Sequence, residues 1–97
     1  MERLKNKVAM ISGATGGIGS TTARRFLDEG ARVMLVGRSA DKLADLVSQL
    51  NGGNRVQSFI AEAHDEAAVQ QSVAATIEAF GGLDIVFANA GTEGHMR

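Results

Sequence analysis

The chain has no cysteine, no proline, no tryptophan and no tyrosine. Without thiols it can form no disulfide, no thiolate metal site and no cysteine nucleophile, which fits a reducing compartment. Its two histidines, His64 and His95, lack any ligand spacing and are assigned no metal or catalytic role. No run approaches the ~20 apolar residues that cross a bilayer. The run Val8–Ile11 after Lys5 and Lys7 is also shorter than the about 7–15 apolar residues of a signal-peptide core. The expected location is the cytoplasm. Neither sign of charge dominates: 10 Lys and Arg stand against 11 Asp and Glu, for a net charge of −1. The charges are interspersed without a basic stripe, so nucleic acid and membrane surfaces are not expected partners.

What is present is the composition of a globular domain, 44% hydrophobic and 22% charged over 97 residues. Short apolar runs alternate with longer amphipathic ones. Lys7–Ser12 (KVAMIS), Arg32–Gly37 (RVMLVG), Arg55–Ile60 (RVQSFI) and Leu83–Ala88 (LDIVFA) have the length and pattern of strands. The first, second and fourth are nearly continuous, as burial on both faces of a parallel sheet requires, whereas the third alternates like an outer strand. Between them, Ile18, Ala23, Phe26 and Leu27 recur at helical spacing within 17–29, and Leu43, Leu46, Val47 and Leu50 follow the N-cap candidate Ser39. A third helix is expected over Asp65–Phe80 with Val69, Val73, Ile77 and Phe80 as its stripe. Asp65 and Asp84 are expected to be helix-cap and strand-edge carboxylates, with no pairing that suggests acid–base work. The order βαβαβαβ, joined by right-handed crossovers, predicts an α/β doubly wound parallel sheet.

Four of the twelve glycines fall in residues 12–19, SGATGGIG, between the first strand and the first helix. Open α/β sheets bind ligands at the carboxyl ends of their strands. A helix starting near Gly17 offers unpaired N–H groups and the positive end of its dipole, which suit a phosphate. A flexible loop is the alternative, and the flanking strand and helix argue against it. The spacing Gly13-x-x-x-Gly17-x-Gly19 differs from G-x-G-x-x-G, and no Gly-Lys-Ser/Thr of a P-loop follows.

This spacing resembles the Thr-Gly-x-x-x-Gly-x-Gly motif of the short-chain dehydrogenases/reductases, with Ser12 in place of threonine. The resemblance extends over EGARVMLVGRS and LDIVFANAG to Asn89-Ala90-Gly91, where the family has Asn-Asn-Ala-Gly and this chain has Ala88 first. It implies a Rossmann-like sheet of strand order 3-2-1-4 and a nicotinamide dinucleotide as cofactor. By matching position, Gly13, Thr15, Gly16 and Ile18 would line the pyrophosphate and adenosine ribose, around the helix start at Gly17. Gly19 would allow close helix packing, and Asn89, Ala90 and Gly91 would sit beside the cofactor ribose. Glu62 and Ala63 stand where the family often has an aspartate that meets the adenine amino group. NAD-binding members carry an acid at the end of the second strand; here Gly37 is followed by Arg38 and Ser39, which favours NADP(H) over NAD(H). Gly16 stands where some NADP-binding members carry a base.

The family's serine, tyrosine and lysine lie on a later strand and helix, so no residue of this chain is assigned a catalytic role. Alone it is expected to be inactive. Residues 1–91 are expected to form the cofactor-binding half and 92–97 a tail. The fourth strand would then be an apolar edge, to be covered by self-association or by a completing polypeptide. Three readings remain: the cofactor half of a reductase transferring hydride between nicotinamide and a carbonyl or alcohol, a non-catalytic NADP(H)-sensing module, and a structural half-fold.

Overall fold

The computed structural model describes residues 3–14, 16–61 and 66–88. Four strands, β1 (Val8–Ser12), β2 (Arg32–Gly37), β3 (Val56–Ile60) and β4 (Ile85–Ala88), alternate with helices α1 (Gly17–Asp28), α2 (Ala40–Leu50) and α3 (Glu66–Phe80). All neighbours pair in parallel in the order β3-β2-β1-β4, the expected order. β1 is central and buried at Val8, Ala9, Met10 and Ile11, because both of its faces are covered.

Alternation along β1 and β2 divides the core. Ile11, Val33 and Leu35 point to one face, where Ala23 and Leu27 of α1 and Leu43, Leu46 and Leu50 of α2 close over them. Met10, Met34 and Val36 point to the other, where α3 packs with Val73, Ala75 and Phe80. Each fully buried Leu or Val there contributes about 1.5–3 kcal/mol relative to exposure.

The helix ends follow their capping residues. Ser39 Oγ accepts the Lys42 N–H at 3.2 Å, and α2 stops at Asn51, whose φ of 51° is left-handed. Arg55, expected as the first residue of a strand, lies instead in a 3-10 turn at 53–55. Its Nη1 donates to the Leu27 and Ala31 carbonyls at 3.1 and 3.2 Å, tying the last turn of α1 to the start of β2.

The stripe expected for α3 is only partly right. Val69, Val73 and Phe80 are half-buried, but Ile77 is 47% exposed, and the residues fully buried against the sheet are Ser72 and Thr76. Their hydroxyls turn back to the Val69 and Ser72 carbonyls at 2.6 and 2.7 Å, so the helix hides them while lying close to Met10. Asp84, expected at a strand edge, ties β4 to β1: its carboxylate accepts from Val8 N at 2.9 Å, and its own N–H donates to Val8 O at 2.8 Å.

Candidate functional site

At the carboxyl end of β1 the chain must turn into α1 within a few residues. Gly13 makes the turn with φ 66°, a left-handed conformation that favours glycine. Gly16 N–H donates to Gly13 O at 3.2 Å and closes the loop. Helix α1 then begins at Gly17, with Gly16 as an extended N-cap that has no side chain to cap it. The first-turn N–H groups of an α-helix have no intrahelical acceptor, so this end offers donors and positive potential to an anion. The nearby hydroxyls do not compete for the mouth. Ser20 and Thr21 donate to Gly17 O at 3.1 and 2.9 Å, and Thr22 donates to Ile18 O at 2.8 Å.

The glycines of the loop differ in what they permit. A Cβ at Gly19 would strike Gly13 O and come within 2.8 Å of Ala14 Cα, so its absence lets helix and loop meet. Among the described residues, a Cβ at Gly17 would meet nothing within 4 Å. Protein packing therefore does not demand glycine at 17, and the bare backbone there leaves room for a ligand to approach. Ile18, next to it, is 65% exposed, at the site mouth rather than in the core.

Strand β2 ends beside this loop, since Ser12 pairs with Val36. Gly37 has an ordinary φ, and a Cβ there would find only the Leu43 side chain, at 3.5 Å and beyond. Arg38 follows, exposed, and then Ser39, whose Oγ already accepts from Lys42 N. That bond uses an oxygen lone pair and leaves the hydroxyl proton for another acceptor. Within 12–14, 16–19 and 36–39, Arg38 is the only charged side chain. Such a mouth favours negative charge, and the donors and the cation suit the phosphates of a dinucleotide. Among the described residues no group of three His, Cys, Asp or Glu could hold a metal, and no helix is long and apolar enough to cross a membrane.

The structure thus brings together Gly13, Gly16, Gly17, Ile18 and Gly19 with Arg38 and Ser39. Thr15, Glu62, Ala63, Asn89, Ala90 and Gly91 lie outside the described residues, as do His64, Asp65, His95 and the expected tail; β4 ends at Ala88 opposite Ser12. One residue of the loop escaped the reading of the motif. Ala14 is fully buried in the α1–α2 core, and its N–H donates to Val36 O at 3.2 Å. Its only signal in the sequence is a small apolar side chain between glycine positions.

Residues 7–97 match the short chain dehydrogenase family. An NADP-dependent (R)-specific alcohol dehydrogenase from Lentilactobacillus kefiri is 42% identical over 91 residues, 93% of this chain and 36% of that protein. A putative ketoacyl reductase of granaticin polyketide synthesis from Streptomyces violaceoruber is 40% identical over 88 residues, 90% of this chain and 32% of its own length. Among solved structures, the C-domain of a bacterial malonyl-CoA reductase with NADP superposes with a TM-score of 0.89 at 30% identity, covering 97% of this chain and 16% of that one. The chain spans about a third of the length of the curated relatives it matches.

Proposed function

The chain belongs to the short-chain dehydrogenase family, and from that premise we propose that it is the cofactor-binding part of a reductase, taking NADP(H) in preference to NAD(H). The observation that carries this reading is the uncapped start of α1, with open space over Gly17, beside a β2 end that has Arg38 and no acid. The first-turn N–H groups, with Gly13, Thr15, Gly16 and Ile18, would hold the pyrophosphate and adenosine ribose. Arg38 would pair with the 2′-phosphate, and Ser39 would donate its hydroxyl proton to it while still capping α2. Glu62 and Ala63 would meet the adenine, and Asn89, Ala90 and Gly91 the second ribose. Gly19 would hold α1 against the loop. When bound, the nicotinamide gives or takes a hydride at a carbonyl or alcohol carbon. The proton would be handled by residues outside these 97, because the chain contains no tyrosine.

Titration of the chain with NADPH and NADH, followed by nicotinamide fluorescence, tests this directly. Saturable binding that favours NADPH is expected. Equal affinity would remove the role given to Arg38, and no binding of either would remove the reading for this chain. The missing tyrosine also suits a second reading, a module that binds NADP(H) without turnover. It would be favoured if the chain bound the cofactor yet gained no carbonyl reductase activity when supplied with the remaining sequence of a relative.

A further inference from the structure

We propose that Ala14 is a positioning residue that sets the distance between the two phosphate-binding places of the site, a proposal that rests on the NADP(H) reading above. Three contacts fix this residue. Its methyl group is sealed in the α1–α2 core at 0% exposure. Its N–H is bonded to the carbonyl of Val36, two residues before Arg38. Its Cα lies where a Cβ on Gly19 would come within 2.8 Å, so it also backs the first turn of α1. Ala14 therefore joins the loop, the helix start and the end of β2 at one point.

A dinucleotide that reaches from the helix N-terminus to Arg38 binds through two linked contacts. The benefit of linkage depends on the two places being held at the span of the ligand. A loop free to shift relative to β2 would keep each contact and lose that benefit. In this protein the glycines provide the turn and the close approach, while the buried alanine holds the loop in place before any ligand arrives.

The test compares a ligand that spans both places with one that uses only the β2 end. Binding of NADPH and of adenosine 2′-monophosphate is measured on the wild-type chain and on Ala14→Val, with circular dichroism at the same temperature reporting the folded fraction. In Ala14→Val the larger side chain displaces the loop from β2. NADPH is then expected to weaken about tenfold or more, while adenosine 2′-monophosphate changes less than about twofold. Ala14→Gly, which overpacks nothing and frees the loop, should show the same split to a smaller degree, and it serves alone if the valine variant does not fold. Equal weakening of both ligands, or unchanged NADPH binding in a folded variant, overturns the proposal. Failure of the wild-type chain to bind either ligand would instead overturn the NADP(H) reading.

Discussion

Glycine at 19 and glycine at 37 serve opposite purposes, and substitution separates them. At 19 any side chain meets backbone that cannot move aside, Gly13 O and Ala14 Cα. Gly19→Ala is expected to cost about 1–3 kcal/mol, as overpacking does, and to abolish NADPH binding; urea denaturation and fluorescence titration read the two effects. At 37, buried at the end of β2, the nearest atoms a Cβ would meet belong to the Leu43 side chain at ordinary contact distance, so Gly37→Asp should fold, at some cost in stability. A carboxylate there repels a 2′-phosphate and accepts from a ribose hydroxyl. The NADPH to NADH affinity ratio should fall about tenfold or more in the same titration. Position 37 was marked as a specificity candidate by the resemblance, because NAD-binding members carry an acid where this chain has Gly37 before Arg38. Ala14 was not, since nothing in a lone alanine tells whether its methyl faces solvent or core.

The end of α1 is secured from outside the helix, and that sets what the loss of each contact would cost. Arg55 reaches back from the 3-10 turn to the Leu27 carbonyl in the last turn of α1 and to the Ala31 carbonyl just before β2. Arg55→Met keeps most of the stem and removes the donors. It should lower stability by about 1.5–3 kcal/mol, the range for hydrogen bonds to a charged group, in a denaturant melt. The carboxylate of Glu29, beyond the last turn of α1, accepts from Arg3 N at 3.2 Å and from Arg25 Nε at 3.3 Å. The bond from the Arg3 backbone, and then the Arg25 guanidinium, hold its carboxyl below the usual value. A carboxyl group depressed in the folded state stabilises above its unfolded pKa and loses that effect as pH falls through the folded one. Acidification below the ordinary glutamate value of about 4.3 should therefore destabilise the wild type slightly more than Glu29→Gln, as seen in melts across that range. Helix α2 and most of α1 were legible because Ala23, Leu27, Leu43, Leu46 and Leu50 are buried at helical spacing, whereas Ile18, the first of the expected α1 stripe, is exposed. α3 was misread in part because Ser72 and Thr76, which face the sheet, satisfy their hydroxyls within the helix and so look polar only on paper.

At the scale of the molecule the parallel sheet was readable from the order of runs and glycines through the crossover rule, while the strand order 3-2-1-4 came from the resemblance to the family. The rule also places α1 and α2 on one face and α3 on the other, and β4 takes less cover as a result. Val86, paired with Met10 on the α3 face, is 57% exposed, and Ile77 of α3 is 47% exposed. Apolar surface beside a strand edge favours association. The isolated chain is expected to sediment as a species larger than a monomer, and Val86→Glu to shift it towards the monomer; a wild-type chain that stays monomeric at all concentrations would contradict this.

The hook by which Asp84 holds Val8 joins residues 76 positions apart in the sequence. Of the four strands, β1 is thus made before the other three, yet it gains its second neighbour only when β4 arrives. At the usual pace of about 5–20 residues per second, its open side waits about four to fifteen seconds on the ribosome. Non-local closure of this kind also slows folding. The nascent chain is therefore most exposed to mispairing and to chaperone capture along the β4 side of β1, before the residues that will occupy it have been translated.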